Sequence, residues 1–396
     1  MATKETLDDT NEVNISVEEN MLEDEDKSSS DLKMKPWNPN DIRITTKNFT
    51  IREIYTQIQD KEPDQEKELD LAPDFQRSFV WGIKQQIRLI ESILLGIPLP
   101  AFYFNQDKDG AQQVIDGVQR LTTIKRFMSD QLELKEEHLE YLGLLKGSTF
   151  STFDAATKRR FASTQIVAHV IEPQTPDDVK YDIFNRVNTG GSPLTAQEIR
   201  HCMSKTRSRD FLRKLVESES FDNATGKIFW KNLNEQLVRN SKRMSDREMV
   251  LRFCAFYIEP LEKYAKASSL DAFLLDFSRW LDQHAQPSDL KKLEAAFEQA
   301  MQNCYQIFGK GAFRRRLPGN QSPRGGINKA IFESQAIALA DFEPELVLAK
   351  KEVIKNTLRA LFSDPSYDNA VSFGTGSYRK VKDRITKPRE ALEKIL

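Results

Sequence analysis

The sequence predicts an α+β protein in which a mixed α/β module precedes a mostly α-helical one, and three observations carry that prediction. Up to about residue 200, short β-branched and apolar runs at residues 101–104, 112–115 and 164–171 alternate with segments of helical spacing. Beyond that point the two-residue period is lost and apolar residues recur at three- and four-residue steps. Residues 1–31 hold eleven acids against Lys4 and Lys27 and contain no aromatic, so they cannot bury enough surface to offset the entropy of ordering. The expected organisation is an acidic disordered tail over 1–36, a mixed module over 37–200 and a helical module over 201–396.

Within the mixed module, Ile51, Ile54, Tyr55 and Ile58 mark a first helix, and Ile83, Ile87, Ile90 and Leu94 a second that Gly96 and Pro98 end. The run AFYFNQDKDGAQQVIDG reads as a hairpin around NQDKDG, with Asp116 at the end of its second strand. Leu121, Ile124 and Phe127 or Met128 give the following segment a buried helical face. TQIVAHVI, with β-branched residues on both faces, fits a central strand. A helix then starts at Pro176 with Asp177 and Asp178 in its first turn, and Thr195 with Glu198 forms a capping box. Nearly everything further on reads as helix.

The bulk numbers exclude several classes. With 396 residues, 39% of them hydrophobic, the chain can build a sizeable core, and no apolar run reaches the ~18–20 residues of a membrane span. Without a basic-then-apolar leader, a cytoplasmic protein is expected. Cys202, Cys254 and Cys304 are far apart and odd in number, which predicts free buried thiols rather than zinc or disulfides. His138, His169, His201 and His284 lack metal-ligand spacing, so no metal site of His or Cys is expected. The net charge of −2, set against −9 in the first 31 residues, leaves the body about seven units positive. Arg314, Arg315, Arg316, Arg379 and Lys380 are its most concentrated basic positions, candidates for DNA contact or simply a solvated face.

The stretch QQVIDGVQRLTTIKRF concentrates the chemistry. A carboxylate at a strand end, a glycine that permits a tight turn, and Gln119 and Arg120 in the first helical turn suit an anion cradle. Asp116 alone reads equally as an N-cap for its own helix. FQRSFVW places Gln76 and Arg77 among aromatics, and FNRVNTGGSPLT offers Asn188 with Gly190 and Gly191, a backbone able to form an anion nest or a helix C-cap. No Walker A loop and no dinucleotide glycine motif is present.

Taken in order, FQRSFVW, LIESILLGIPLP, IDGVQRLTTI and FNRVNTGGSPLTAQEIR resemble the N-terminal domain family of GmrSD-type restriction endonucleases, relatives of the ParB and sulfiredoxin fold whose hallmark is Asp-Gly-Gln-Gln-Arg. AFRRRLPGNQSPRGGINKAIFES and YRKVKDRI are similar to segments in the helical half of such proteins. The resemblance implies a ParB-like domain that binds and often hydrolyses a nucleoside triphosphate, ATP or GTP with Mg2+, in bacterial defence against phage or modified DNA. Carried over by position, Asp116, Gln119 and Arg120 are the catalytic set. Gly117, Gln76, Arg77, Asn188, Gly190 and Gly191 bind the nucleotide. Val118 stands where the family has its first glutamine, and if that amide contacts nucleotide or water, turnover would be weak or absent here while binding could survive. Without a His-Asn-His nuclease in the helical half, cutting of DNA would fall to a separate nuclease or effector chain, and an oligomer is compatible with the sequence. The alternative is a non-catalytic DNA-binding or partner-binding module in which Asp-Gly-Val-Gln-Arg is a structural remnant.

Overall fold

The computed structural model describes residues 39–59, 68–71, 81–187, 194–233, 236–239, 241–315 and 325–396. The acidic tail lies outside the described residues, as do Gln76, Arg77, Asn188, Gly190, Gly191 and Arg316. The chain divides into two compact units between Met203 and Ser204, and both halves of the α+β expectation are present.

The first unit is built on a five-stranded mixed sheet. Its strands are β1 (Ile44–Thr50), β2 (Leu69–Asp70), β3 (Phe102–Gln106), β4 (Gln112–Asp116) and β5 (Gln165–Ile171), in the order β1-β5-β3-β4-β2. β5 runs antiparallel to β1 and parallel to β3, β3 and β4 form the antiparallel hairpin, and β2 adds in parallel at the far edge. The helices are α1 (Ile51–Ile58), α2 (Ile83–Leu94), α3 (Val118–Met128), α4 (Ala155–Ser163), α5 (Asp177–Val187) and α6 (Ala196–Met203). Ile51, Ile54, Ile87, Ile90, Leu121, Ile124 and Phe127 come from the predicted apolar faces and join Phe102, Phe104 and Val170 of the sheet in one core.

Local chemistry fixes the ends of these elements. Thr50 and Glu53 form a reciprocal capping box at α1. α2 ends in a Schellman arrangement, with Gly96 at φ 75° donating to the Ile93 carbonyl and Ile97 to that of Ser92. The Thr195–Glu198 box opens α6 as expected, with both bonds made. Three elements of this unit were not anticipated, among them β2, two residues at the end of DQEKELD, which reads as a charged loop. β1 lies at a sheet edge with mostly exposed side chains, so it carries no alternating signal, and α4 is a short helix whose buried residues are Phe161 and Ala162 alone.

The second unit contains α7 (Thr206–Val216), α8 (Glu219–Thr225), the hairpin β6 (Trp230–Leu233) and β7 (Gln236–Arg239), α9 (Ser245–Ile258), α10 (Leu261–Lys266), α11 (Leu270–Gln283), α12 (Pro287–Phe308), α13 (Lys329–Leu339), α14 (Pro344–Ala349), α15 (Lys351–Ala360), α16 (Pro365–Ser372) and α17 (Tyr378–Glu393). The unit is mostly helical as expected, and the hairpin is the exception: two four-residue strands in which each cross-strand pair joins a polar to an apolar residue, too short for a period to register. Cys202, Cys254 and Cys304 are free and buried, and burial raises the thiol pKa of the last two. No helix among the described residues is long and apolar enough to cross a membrane.

Candidate functional site

The site is assembled where β4 gives way to α3. Tyr103 pairs with Asp116 and Phe104 with Val114, so Ile115 is an extra residue and the strand bulges one step before the carboxylate. A bulge bends its strand and re-aims the side chains beyond it. Gly117 follows at φ 102°, and α3 starts on it with no side chain capping its first turn. Asp116 is therefore not the N-cap of α3. The first amides of an α-helix have no carbonyl partner within the helix, and here they stand beside the strand end at the positive end of the helix dipole.

The Asp116 carboxylate is held from the side. Arg120 Nη2 donates to Asp116 Oδ2 at 2.9 Å and to the Ala101 carbonyl at 3.2 Å, while Nη1 donates to the Pro100 carbonyl. Its guanidinium carbon lies 4.1 Å from the centroid of the Phe102 ring. The Arg120 side chain is 11% exposed and that of Asp116 36%. Burial pulls the guanidinium below the ordinary arginine range, and the neighbouring carboxylate offsets part of that shift. Arg120 thus clamps the end of β4 to the start of β3, and three of its donors are engaged by protein. Asp116 keeps a half-exposed carboxylate with Oδ2 fixed and, among the described residues, no bond recorded on Oδ1.

Gln119 joins this corner to Trp81, which precedes α2. Its Oε1 accepts from the Trp81 backbone at 3.4 Å, and its carbonyl accepts the Thr123 hydroxyl at 2.8 Å. The Trp81 carbonyl accepts from Gln86 Nε2 at 2.9 Å, and Gln86 Oε1 accepts from Arg126 at 3.0 Å. Gln86 is almost wholly buried, and this bridge between α2 and α3 has no counterpart in the sequence reading, because a glutamine in an amphipathic helix carries no sign that it faces inward. Phe102, which underlies both Gly117 and Arg120, was equally invisible as part of a site. On the other flank α6 packs against β4 and buries Gln197, Glu198 and Arg200, with Arg200 Nε donating to Gln197 at 2.9 Å.

In the second unit the basic candidates separate. Arg314 is buried and donates to the Gly325 carbonyl at 3.1 Å. Arg315 reaches both Asp368 oxygens and Ser372. Neither offers an unengaged charge to a phosphate, because folding has already given each a partner. Arg379 is exposed, and Lys380 donates to the Phe373 carbonyl at 2.8 Å from a half-exposed position. Among the described residues no group of three or more His, Cys, Asp or Glu side chains is placed to hold a metal ion.

Residues 51–205 match the family model described as the GmrSD restriction endonuclease, N-terminal domain. No curated protein matches the chain.

Proposed function

Residues 51–205 form a GmrSD restriction endonuclease N-terminal domain, and from that premise we propose that the chain binds and hydrolyses a nucleoside triphosphate, ATP or GTP with Mg2+, to license action on DNA in a bacterial defence system. The observation that carries this reading is the uncapped start of α3 beside a carboxylate held by Arg120 at 2.9 Å. Helix N-terminal amides are suited to phosphate oxygens through their unpaired N–H groups and the helix dipole. Gly117 turns the chain from β4 into α3 at φ 102°, a left-handed conformation that glycine adopts without a Cβ penalty.

The residues fit the charges such a ligand brings. Asp116 presents Oδ1 from a half-exposed carboxylate, in position to bind a phosphate-bound Mg2+ through oxygen or to orient water. Were Mg2+ bound with the phosphates, Asp116 would help to hold it and the ion would supply neutralisation of phosphate charge. Arg120, with its donors engaged by Asp116 and two carbonyls, acts as a positioning residue, so phosphate contact falls to the α3 amides, with Gln76 and Arg77 carried over from the family resemblance. Val118 contributes an amide and an apolar side chain, and the water in this account is oriented by Asp116. Arg379, exposed in the second unit, with Lys380, is the proposed DNA contact, and a separate nuclease or effector chain is the proposed agent of cutting.

Phosphate release by the purified chain, measured over a nucleotide panel with and without DNA, tests this. Release should be abolished in Asp116→Ala and strongly reduced in Arg120→Ala. Undiminished release by Asp116→Ala would remove Asp116 from the mechanism.

A further inference from the structure

A row of side chains crosses the sheet outward from the same corner. Asp116 on β4 is the cross-strand partner of Tyr103 on β3, Tyr103 that of His169 on β5, and His169 that of Thr46 on β1. These four lie on the face opposite Phe102 and Phe104, which are in the core, because successive strand side chains alternate. The Tyr103 and His169 ring centroids are 5.0 Å apart with 49° between the planes, and both residues are only half-buried. Thr46 Oγ1 lies 2.9 Å from His169 Nδ1 and fixes the rotation of the imidazole. Val167, the next residue toward the start of β5 on this face, is exposed.

Two aromatic rings held in place on a half-open sheet face offer the π-surfaces on which nucleic-acid bases stack. Two strand spacings, about 10 Å, separate β4 from β5, and a ribose with its first phosphate bridges such a gap between the start of α3 and the rings. We propose that Tyr103 and His169 are the nucleobase platform of the site, stacking the base of the nucleotide whose phosphates meet α3. The proposal rests on the nucleotide-binding reading and adds to it the residues that recognise the base. Stacking tolerates different bases, since each has a π-face, so the platform sets affinity for a nucleotide over a bare polyphosphate.

The test compares calorimetric titrations of the full chain with ATP, GTP and inorganic tripolyphosphate, each with Mg2+. Tyr103→Ala and His169→Ala should each weaken nucleotide binding by roughly 5- to 150-fold and leave tripolyphosphate binding unchanged, and Tyr103→Phe should restore it. A thermal melt identifies any variant that fails to fold, and the remaining one still decides the matter. Unchanged nucleotide affinity in both alanine variants, or an equal loss for nucleotide and tripolyphosphate, overturns the platform. If Arg120→Ala meanwhile weakens both ligands, the nucleotide-binding reading stands without it. Failure of the wild type to bind any of the three ligands overturns both.

Discussion

A Cβ built on Gly117 would lie 2.2 Å from Cδ1 and 2.7 Å from Cε1 of Phe102, at a residue whose φ is 102°. Both the backbone and the ring beneath it exclude a side chain, so Gly117→Ala should cost roughly 2–5 kcal/mol, the sum of left-handed strain and overpacking. Denaturant unfolding measures that loss, and a stability within 0.5 kcal/mol of wild type would mean the corner is built otherwise. Glu91 is a second residue whose role is set by its partners. It is buried in α2, and its carboxylate accepts the backbone amides of Glu140, Tyr141 and Leu142 at 2.7–3.0 Å. Burial works to raise its pKa, and those amides with Arg88 outweigh it and hold the group below the usual glutamate value. A folded pKa below the unfolded one means stability that is present above about pH 4.5 and lost as pH falls through the folded value. Glu91→Gln should therefore destabilise the first unit by ~1–3 kcal/mol at pH 7 and flatten its acid unfolding between pH 5 and 3. An unchanged acid limb would show that the clasp contributes nothing. Asp116 and Arg120 were legible as chemistry in the sequence, but their mutual bond was not: the i,i+4 spacing spans a strand end and a helix start, where no periodic rule applies.

Elements with a strong apolar period were legible to within a residue or two. α2 and the β3–β4 hairpin follow the repeats of Ile83, Ile87, Ile90 and Leu94 and the turn NQDKDG. β1, α4 and the β6–β7 hairpin were not, because their side chains are largely exposed or polar and tertiary pairing, not patterning, specifies them. A similar limit hides the polar centre of the second unit. Glu333 on α13 is fully buried, accepting from Arg252 of α9 at 3.2 Å and from Arg384 of α17 at 2.6 Å. Glu248 takes Arg252 and Lys329 at 2.5 and 2.8 Å. Each helix alone looks amphipathic with misplaced charge, and only the packing of α9, α13 and α17 turns five such charges into one network. Removing one partner strands the others in a low dielectric, so Glu333→Ala should cost ~3–5 kcal/mol. Thermal unfolding of that variant measures the loss, and a wild-type melting temperature would exclude the network as a stabilising element.

Over the whole molecule, the charge asymmetry legible in the sequence does not translate directly into a DNA-binding surface. Folding consumes Arg314 and Arg315 in contacts with Gly325 and Asp368, which leaves Arg379 and Lys380 as the described candidates for phosphate contact. Salt titrations of DNA affinity should accordingly lose about one unit of log–log slope in Arg379→Ala, while Arg315→Gln leaves the slope intact. Equal effects of the two changes would place the DNA contact elsewhere. The family match over residues 51–205 falls almost wholly within the first unit, which is where the proposed nucleotide site lies. The most direct test is an equilibrium titration of the full chain with ATP and GTP in Mg2+. The account predicts saturable binding of at least one of them, weakened about 10- to 150-fold in Arg120→Ala by the loss of one charged contact that orders the site. Absence of binding to either nucleotide would contradict it.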